Sequence, residues 1–166
     1  SHAFDTVKGS DYLGDQDAIE VMCREAPDEV LQLEHWGVTF HRNEEGKLGT
    51  RAFGGASAAR TYYIADITGQ ALLHVLYEQL MKHDEVDRYE EWFTTALVRD
   101  DSGRIAGAVT RNIRDGELQL FTAKSVILAT GGNGQLFTPT TNALICTGDG
   151  IAMAYHAGAP LMDMEM

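Results

Sequence analysis

Val126-Ile127-Leu128-Ala129-Thr130-Gly131-Gly132-Asn133-Gly134 is the stretch on which the fold turns: four consecutive apolar residues run straight into a glycine-rich turn. An uninterrupted apolar run reads as a strand buried on both faces. Glycines directly after it let the backbone approach a ligand closely at the carboxyl edge of a sheet. A phosphate- or nucleotide-bearing ligand fits such an edge, and a simple turn between elements fits it as well. Immediately upstream, Trp92-Phe93-Thr94-Thr95-Ala96-Leu97-Val98, residues 105–113 and residues 118–122 are β-prone runs. They are separated by Asp101-Ser102-Gly103 and Arg114-Asp115-Gly116, which have the chemistry of tight turns. This spacing predicts a three-stranded antiparallel meander leading into the buried strand at 126–129. The expected fold class is α/β, a parallel sheet flanked by helices with a small antiparallel sheet beside it.

Further on, Thr147-Gly148-Asp149-Gly150 precedes Ile151, Ala152, Met153, Ala154 and Ala157, a small-residue helical pattern. The helix N-terminus placed there offers N–H groups and a positive dipole end to anionic oxygens. Asp149 in the first turn either accepts from a ribityl or ribose hydroxyl or caps the helix. Upstream, Leu72, Leu73, Leu76, Tyr77 and Leu80 fall at three- and four-residue spacing, predicting an amphipathic helix over 67–82. His74, within it, reads as a packed or solvated side chain. Residues 47–61, rich in Gly, Ala and Ser, predict irregular backbone held by contacts with something else. Residues 15–36 have helical periodicity interrupted by Pro27, which predicts two helical pieces with Gly37 as the stop. A short strand at 38–42 and a turn at 43–46 follow.

Composition bounds the function. With 25 acidic against 13 basic side chains, the net charge of −12 argues against non-specific nucleic-acid binding. The acidity fits a solvated surface or adaptation to a salty cytoplasm. Cys23 and Cys146 lack metal-ligand spacing and read as free thiols in a reducing compartment. No metal site is expected. No apolar run approaches the roughly 20 residues of a membrane-spanning helix, and residues 1–5 lack the basic-then-apolar form of a leader.

Several motifs together resemble the flavoprotein subunits of succinate dehydrogenase and fumarate reductase. Residues 4–19, Phe4-Asp5-Thr6-Val7-Lys8-Gly9-Ser10-Asp11-Tyr12-Leu13-Gly14-Asp15-Gln16-Asp17-Ala18-Ile19, resemble the stretch that follows that family's first flavin-binding region. Arg51-Ala52-Phe53-Gly54-Gly55, Thr68-Gly69-Gln70-Ala71-Leu72-Leu73-His74, Ala129-Thr130-Gly131-Gly132 and Thr147-Gly148-Asp149-Gly150 match further motifs in the family's order. The resemblance covers essentially residues 1–166. It implies part of an FAD-binding two-dinucleotide-binding-domain (Rossmann-like) fold and an enzyme that interconverts succinate and fumarate by hydride transfer with FAD. Electrons would pass to an iron-sulfur subunit and quinone, and membrane-anchor subunits would hold the complex on the cytoplasmic side of the inner (cell) membrane.

By the same resemblance, Asp149, Thr130, Gly131, Gly132 and Thr94 are cofactor-binding, and Phe53, Gly54 and Gly55 form one edge of the dicarboxylate site. Thr94 stands where the family usually has alanine. The loop between Gly55 and Arg60 is short for the family, Ile67 replaces a frequent arginine, and Leu144 replaces a frequent histidine. The Gly-x-Gly-x-x-Gly fingerprint and the covalent-flavin histidine are expected upstream of residue 1. The substrate histidine and proton-donating arginine are expected beyond Asp163-Met164-Glu165-Met166. No catalytic residue is therefore expected in this segment, and Arg51 and Arg60 are not given that role. L-aspartate oxidase or another fumarate-reductase-like flavoprotein is a competing reading, since these share the glycine motifs. A non-catalytic binding module is a second.

Overall fold

Local hydrogen-bond chemistry sets where each element begins and ends in the computed structural model, which describes residues 1–164; Glu165 and Met166 lie outside the described residues. The chain divides into two units, Ser1–Asp87 and Arg88–Met166. The first unit holds α1 (His2–Gly9), α2 (Gln16–Trp36), β1 (Thr50–Arg51), β2 (Thr61–Tyr62) and α3 (Thr68–Leu80).

After α1, Asp11 and Tyr12 take left-handed conformations, and the Tyr12 N–H donates back to the Val7 carbonyl at 3.0 Å. Gly14 then comes so close to Ser10 and Ile19 that a Cβ there would lie 2.7 Å from Ile19 Cδ1. At the start of α2, the Asp15 carboxylate accepts from the Asp17 and Ala18 N–H groups at 3.0 and 3.2 Å. Losing such a cap costs about 1 kcal/mol. At the other end Gly37, at φ 120°, donates to Glu34 O, and Val38 N–H donates to Leu33 O. These paired bonds satisfy carbonyls that the helix leaves open.

Pro27 was expected to divide this region into two pieces, but α2 runs unbroken through it. Proline removes one intrahelical donor, at a cost of about 3 kcal/mol. Ile19, Cys23, Ala26, Val30 and Leu33, all half-buried at alternating four- and three-residue steps, form one continuous inner stripe that opposes that cost. Val30 and Leu33 pack on Val38, Phe40 and Val75 together with Leu48, Tyr62, Ile64 and Leu72. The segment expected as a strand at 38–42 keeps strand-like alternation, with Val38 and Phe40 buried. Its pairing reduces to a single bridge between Arg42 and Leu48 around the Asn43 turn. α3 matches the expected helix to within two residues, and His74 on it is exposed.

In the second unit, β3 (Trp92–Arg99), β4 (Ile105–Asn112) and β5 (Leu118–Thr122) form the expected antiparallel meander in the order β3-β4-β5. Asp100 organises the first turn, its carboxylate accepting from Ser102 N–H, Ser102 Oγ–H and Arg104 N–H. The Ser102 hydroxyl, first among these partners, holds that carboxyl below its ordinary pKa range. The ladder is irregular at Thr95: Thr94 pairs with Thr110 and Ala96 with Val109, leaving Thr95 as a bulge. Gly107 lies so close to β5 that a Cβ would sit 2.0 Å from Phe121 O. Edge-to-face contacts join Tyr89, Trp92 and Phe121. A 3₁₀ turn (Gly134–Leu136) and α4 (Asp149–His156) complete the unit. Met153 and His156 of α4 line a cavity with Thr95, Ala96 and Leu97 of β3.

The buried strand expected at 126–129 is not formed. Val126 is half-buried, Ile127 is 90% exposed and Leu128 is 38% exposed. A strand exists only through its ladder, and no strand among the described residues pairs with this one. Every ladder among the described residues is antiparallel, so the expected parallel sheet is absent from them.

Candidate functional site

In the second unit the two glycine motifs fold into one body. The Gly148 N–H donates to the Gly132 carbonyl at 3.2 Å, and Gln135 N–H donates to Cys146 O at 2.9 Å. A Cβ on Gly150, which is buried, would lie 1.8 Å from Thr130 Oγ1, and one on Gly148 would lie 3.1 Å from Asn133 Cβ. Glycine at these positions is what lets the N-terminus of α4 seat against the turn. Gly131 and Gly132 are the reverse case, because nothing lies within 4 Å of the positions where their Cβ atoms would be. Their open backbone face borders a helix start whose leading N–H groups lack intrahelical partners. Gly131, at φ 74°, holds a conformation that a side chain would strain.

Asp149 is the first residue of α4 and is exposed. Gly148 occupies the N-cap, and no side chain caps the helix. The Asp149 carboxylate instead accepts a hydrogen bond from the Thr147 hydroxyl. Of the two roles open to this residue, capping is therefore not used, and one carboxylate oxygen is left for an outside donor. Thr94 is half-buried in β3, beside the Thr95 bulge, while α4 packs on the residues just after it. This set fits a dinucleotide-type cofactor: a backbone face without side chains, helix N–H groups and an exposed carboxylate for a sugar hydroxyl.

In the first unit, Phe53, Gly54 and Gly55 lie in the loop between β1 and β2. Phe53 is 62% exposed, and its carbonyl accepts from Ala56 N–H at 3.1 Å. Gly55 is at φ 80°, and nothing lies within 4 Å of a Cβ placed on it or on Gly54. These residues line a cleft of about 270 Å³ with His2, Asp5, Thr6, Gly9, Ala56, Arg60 and Thr61. Sequence reasoning missed Asp5. Its Oδ2 accepts from Ser57 N–H at 2.8 Å and Ser57 Oγ–H at 2.9 Å, and pairs with Arg60. Nothing local advertises these contacts, because they bridge 52 and 55 residues of chain. Arg60, left outside the catalytic set, is held in that ion pair. A further cavity of about 510 Å³, lined chiefly by apolar side chains of α2, α3 and β2, contains none of the expected site residues. No metal-ligating cluster occurs among the described residues.

The Arg60 hydrogen bond, then those from Ser57, hold the Asp5 carboxyl at about 2, below its ordinary value of 3.8. A carboxyl depressed in the folded state stabilises it above the unfolded pKa, and that stability is lost as pH falls through the folded value. Protection of the Ser57 amide against hydrogen exchange, corrected for intrinsic rate, is therefore expected to hold above pH 3.8 and to decline from there toward about 2. Protection that falls away already near neutral pH would contradict the contact.

No helix among the described residues is long and apolar enough to cross a membrane. The model of a family described as FAD binding domain matches residues 1–166. The chain is 51% identical over 164 residues to the fumarate reductase flavoprotein subunit of Mycobacterium tuberculosis. It is 52% identical over 172 residues to the succinate dehydrogenase flavoprotein subunit of Rickettsia conorii. Each match covers 99% of this chain and 28% of the relative. Among solved structures, a variant of E. coli quinol fumarate reductase superposes with a TM-score of 0.93 at 39% identity, covering 99% of this chain and 28% of that one. The chain thus spans just over a quarter of the length of these relatives. With its whole length matched by that family and its glycine motifs folded around one open backbone face, the chain belongs to the FAD-binding domain family, whose cofactor is FAD.

Proposed function

We propose that this chain is a partial FAD-binding domain within the flavoprotein subunit of a succinate dehydrogenase or fumarate reductase. It supplies part of the FAD site and one edge of the dicarboxylate site. The observation that carries this reading is the seating of Gly148 and Gly150 on residues 130–133, which leaves Gly131 and Gly132 as bare backbone beside a helix N-terminus. Backbone N–H groups at that edge hold anionic and polar oxygens of the cofactor, Asp149 accepts from a ribityl or ribose hydroxyl, and Thr94 contributes a backbone contact. When bound, FAD would supply the ring that takes up or delivers the hydride. Phe53 packs against the dicarboxylate and excludes water, with Gly54 and Gly55 admitting backbone close to it. These residues position and desolvate. Acid–base groups, the dinucleotide fingerprint and the covalent attachment point belong to parts of the subunit outside this chain.

Exposed apolar side chains support the partial-domain reading. Ile127, Leu144 and Ile145 are 83–90% exposed, and Phe137 and Leu73 are about 70% exposed. Burying one such side chain is worth roughly 1.5–3 kcal/mol, so these surfaces suit contact with further polypeptide. An iron-sulfur subunit and membrane-anchor subunits complete the complex in this reading, with the flavoprotein peripheral on the cytoplasmic side of the membrane.

The test is Asp149→Ala in the full-length subunit. Losing a hydrogen bond to a charged group costs about 1.5–3 kcal/mol, so FAD titration of the apoprotein is expected to show binding weakened roughly 10- to 100-fold. Unchanged FAD affinity would remove Asp149 from the cofactor site.

A further inference from the structure

We propose that Asp5 is a positioning residue whose carboxylate clamps the loop carrying Phe53, Gly54 and Gly55 against α1, fixing the width of the cleft between them. This rests on the reading of that loop as the dicarboxylate edge.

The loop has little of its own to hold it. Gly54 and Gly55 present no side chain and have open space around them, and Phe53 is exposed. A segment without packing keeps its conformational freedom unless something outside it removes that freedom. The outside contact is Asp5. One carboxylate oxygen, Oδ2, takes the backbone N–H and the hydroxyl of Ser57 and the guanidinium of Arg60. Ser57 lies two residues beyond Gly55, and Arg60 lies just before β2, so the two ties grip the same side of the loop. The opposing wall of the cleft is α1 itself, which contributes His2, Asp5, Thr6 and Gly9. The distance from that wall to Phe53 is therefore set by the clamp.

The clamp is also built to stay closed. The Asp5 side chain is only 8% exposed, which keeps water from competing for Oδ2. Arg60 is 75% buried by the same measure, and its Nη1 is buried without a hydrogen-bond partner, so Asp5 is the group that balances its charge. Arg60 also lines the apolar cavity on the far side, between the cleft and α2. Releasing Asp5 would free both the loop and the guanidinium that backs it.

Asp5→Asn in the full-length holoenzyme keeps the side-chain shape but removes the ion pair. The expected result is a KM for the dicarboxylate raised about tenfold, the fold-change of one charge-assisted contact, with flavin content and kcat largely retained. Ser57→Ala, which spares the ion pair, is expected to raise KM about threefold and serves as the test if Asp5→Asn does not assemble. Asp5→Glu, which restores the charge, is expected to recover part of the loss. If Phe53→Ala raises KM while Asp5→Asn, or Ser57→Ala in its place, leaves it unchanged, the clamp is overturned and the dicarboxylate edge stands. If none of the three changes dicarboxylate kinetics, the edge itself is wrong.

Discussion

Replacing Gly150 by alanine in the full-length subunit is expected to abolish stable FAD retention. A Cβ at this position would stand 1.8 Å from Thr130 Oγ1, 2.9 Å from its Cβ and 3.1 Å from its Cγ2. Rotating the threonine exchanges one branch for the other but leaves its Cβ in place, and β-branched side chains have few rotamers to choose from. The turn and the helix must therefore separate. Overpacking of this kind costs about 1–3 kcal/mol or more, and here it falls on the junction that brings the helix N-terminus to the open face of Gly131 and Gly132. FAD affinity is expected to drop roughly 100-fold or more, measured by flavin content after desalting. Thr130→Gly in the same chain removes the obstructing side chain and is expected to restore part of the affinity. Full flavin content in the single variant would mean that this junction does not hold the cofactor.

The second large effect is expected from Phe53→Ala, and it differs in kind. Phe53 is 62% exposed in this chain, so truncating it should disturb folding little and leave flavin content intact. If its ring packs against the dicarboxylate, what is lost is the apolar contact and the exclusion of water, worth roughly 1.5–3 kcal/mol for a phenylalanine. A fall in kcat/KM of roughly 10- to 100-fold is expected, measured with succinate or fumarate. Unaltered kinetics would reduce Phe53 to an exposed side chain on a loop.

Much of the architecture could be read locally because its causes are local. The meander declared itself through β-prone runs parted by Asp101-Ser102-Gly103 and Arg114-Asp115-Gly116, turns that the structure closes with bonds from nearby backbone N–H groups to the Asp100 and Asn112 side chains. The helix now seen as α3 followed from three- and four-residue spacing, and the stop at Gly37 from glycine's access to positive φ. The failures have physical causes too. Pro27 spoke for a break, but a proline removes a single donor, and a stripe of half-buried side chains on both sides of it prevailed. Residues 126–129 have the composition of a buried strand, yet a strand needs a partner, and no strand among the described residues pairs with them. α1 escaped notice because it is short and has no buried residue to impose a period.

The site divides in the same way. The order of the glycine motifs could be read in the sequence, and with it the candidates Thr130, Gly131, Gly132 and Asp149. That Gly148 and Gly150 mate with residues 130–133 could not, since it depends on how the intervening loop returns. Asp5 was hidden for the same reason. A carboxylate on a helix surface is ordinary until the loop carrying Ser57 and Arg60 is folded onto it.

The open face of Gly131 and Gly132 is proposed to lie in a flavin site, and the flavin content of the full-length subunit decides this. The full-length subunit, incubated with excess FAD and desalted, is predicted to retain about one flavin per chain, read from its absorbance spectrum. A folded full-length protein that emerges without flavin would mean that the glycine face holds no flavin.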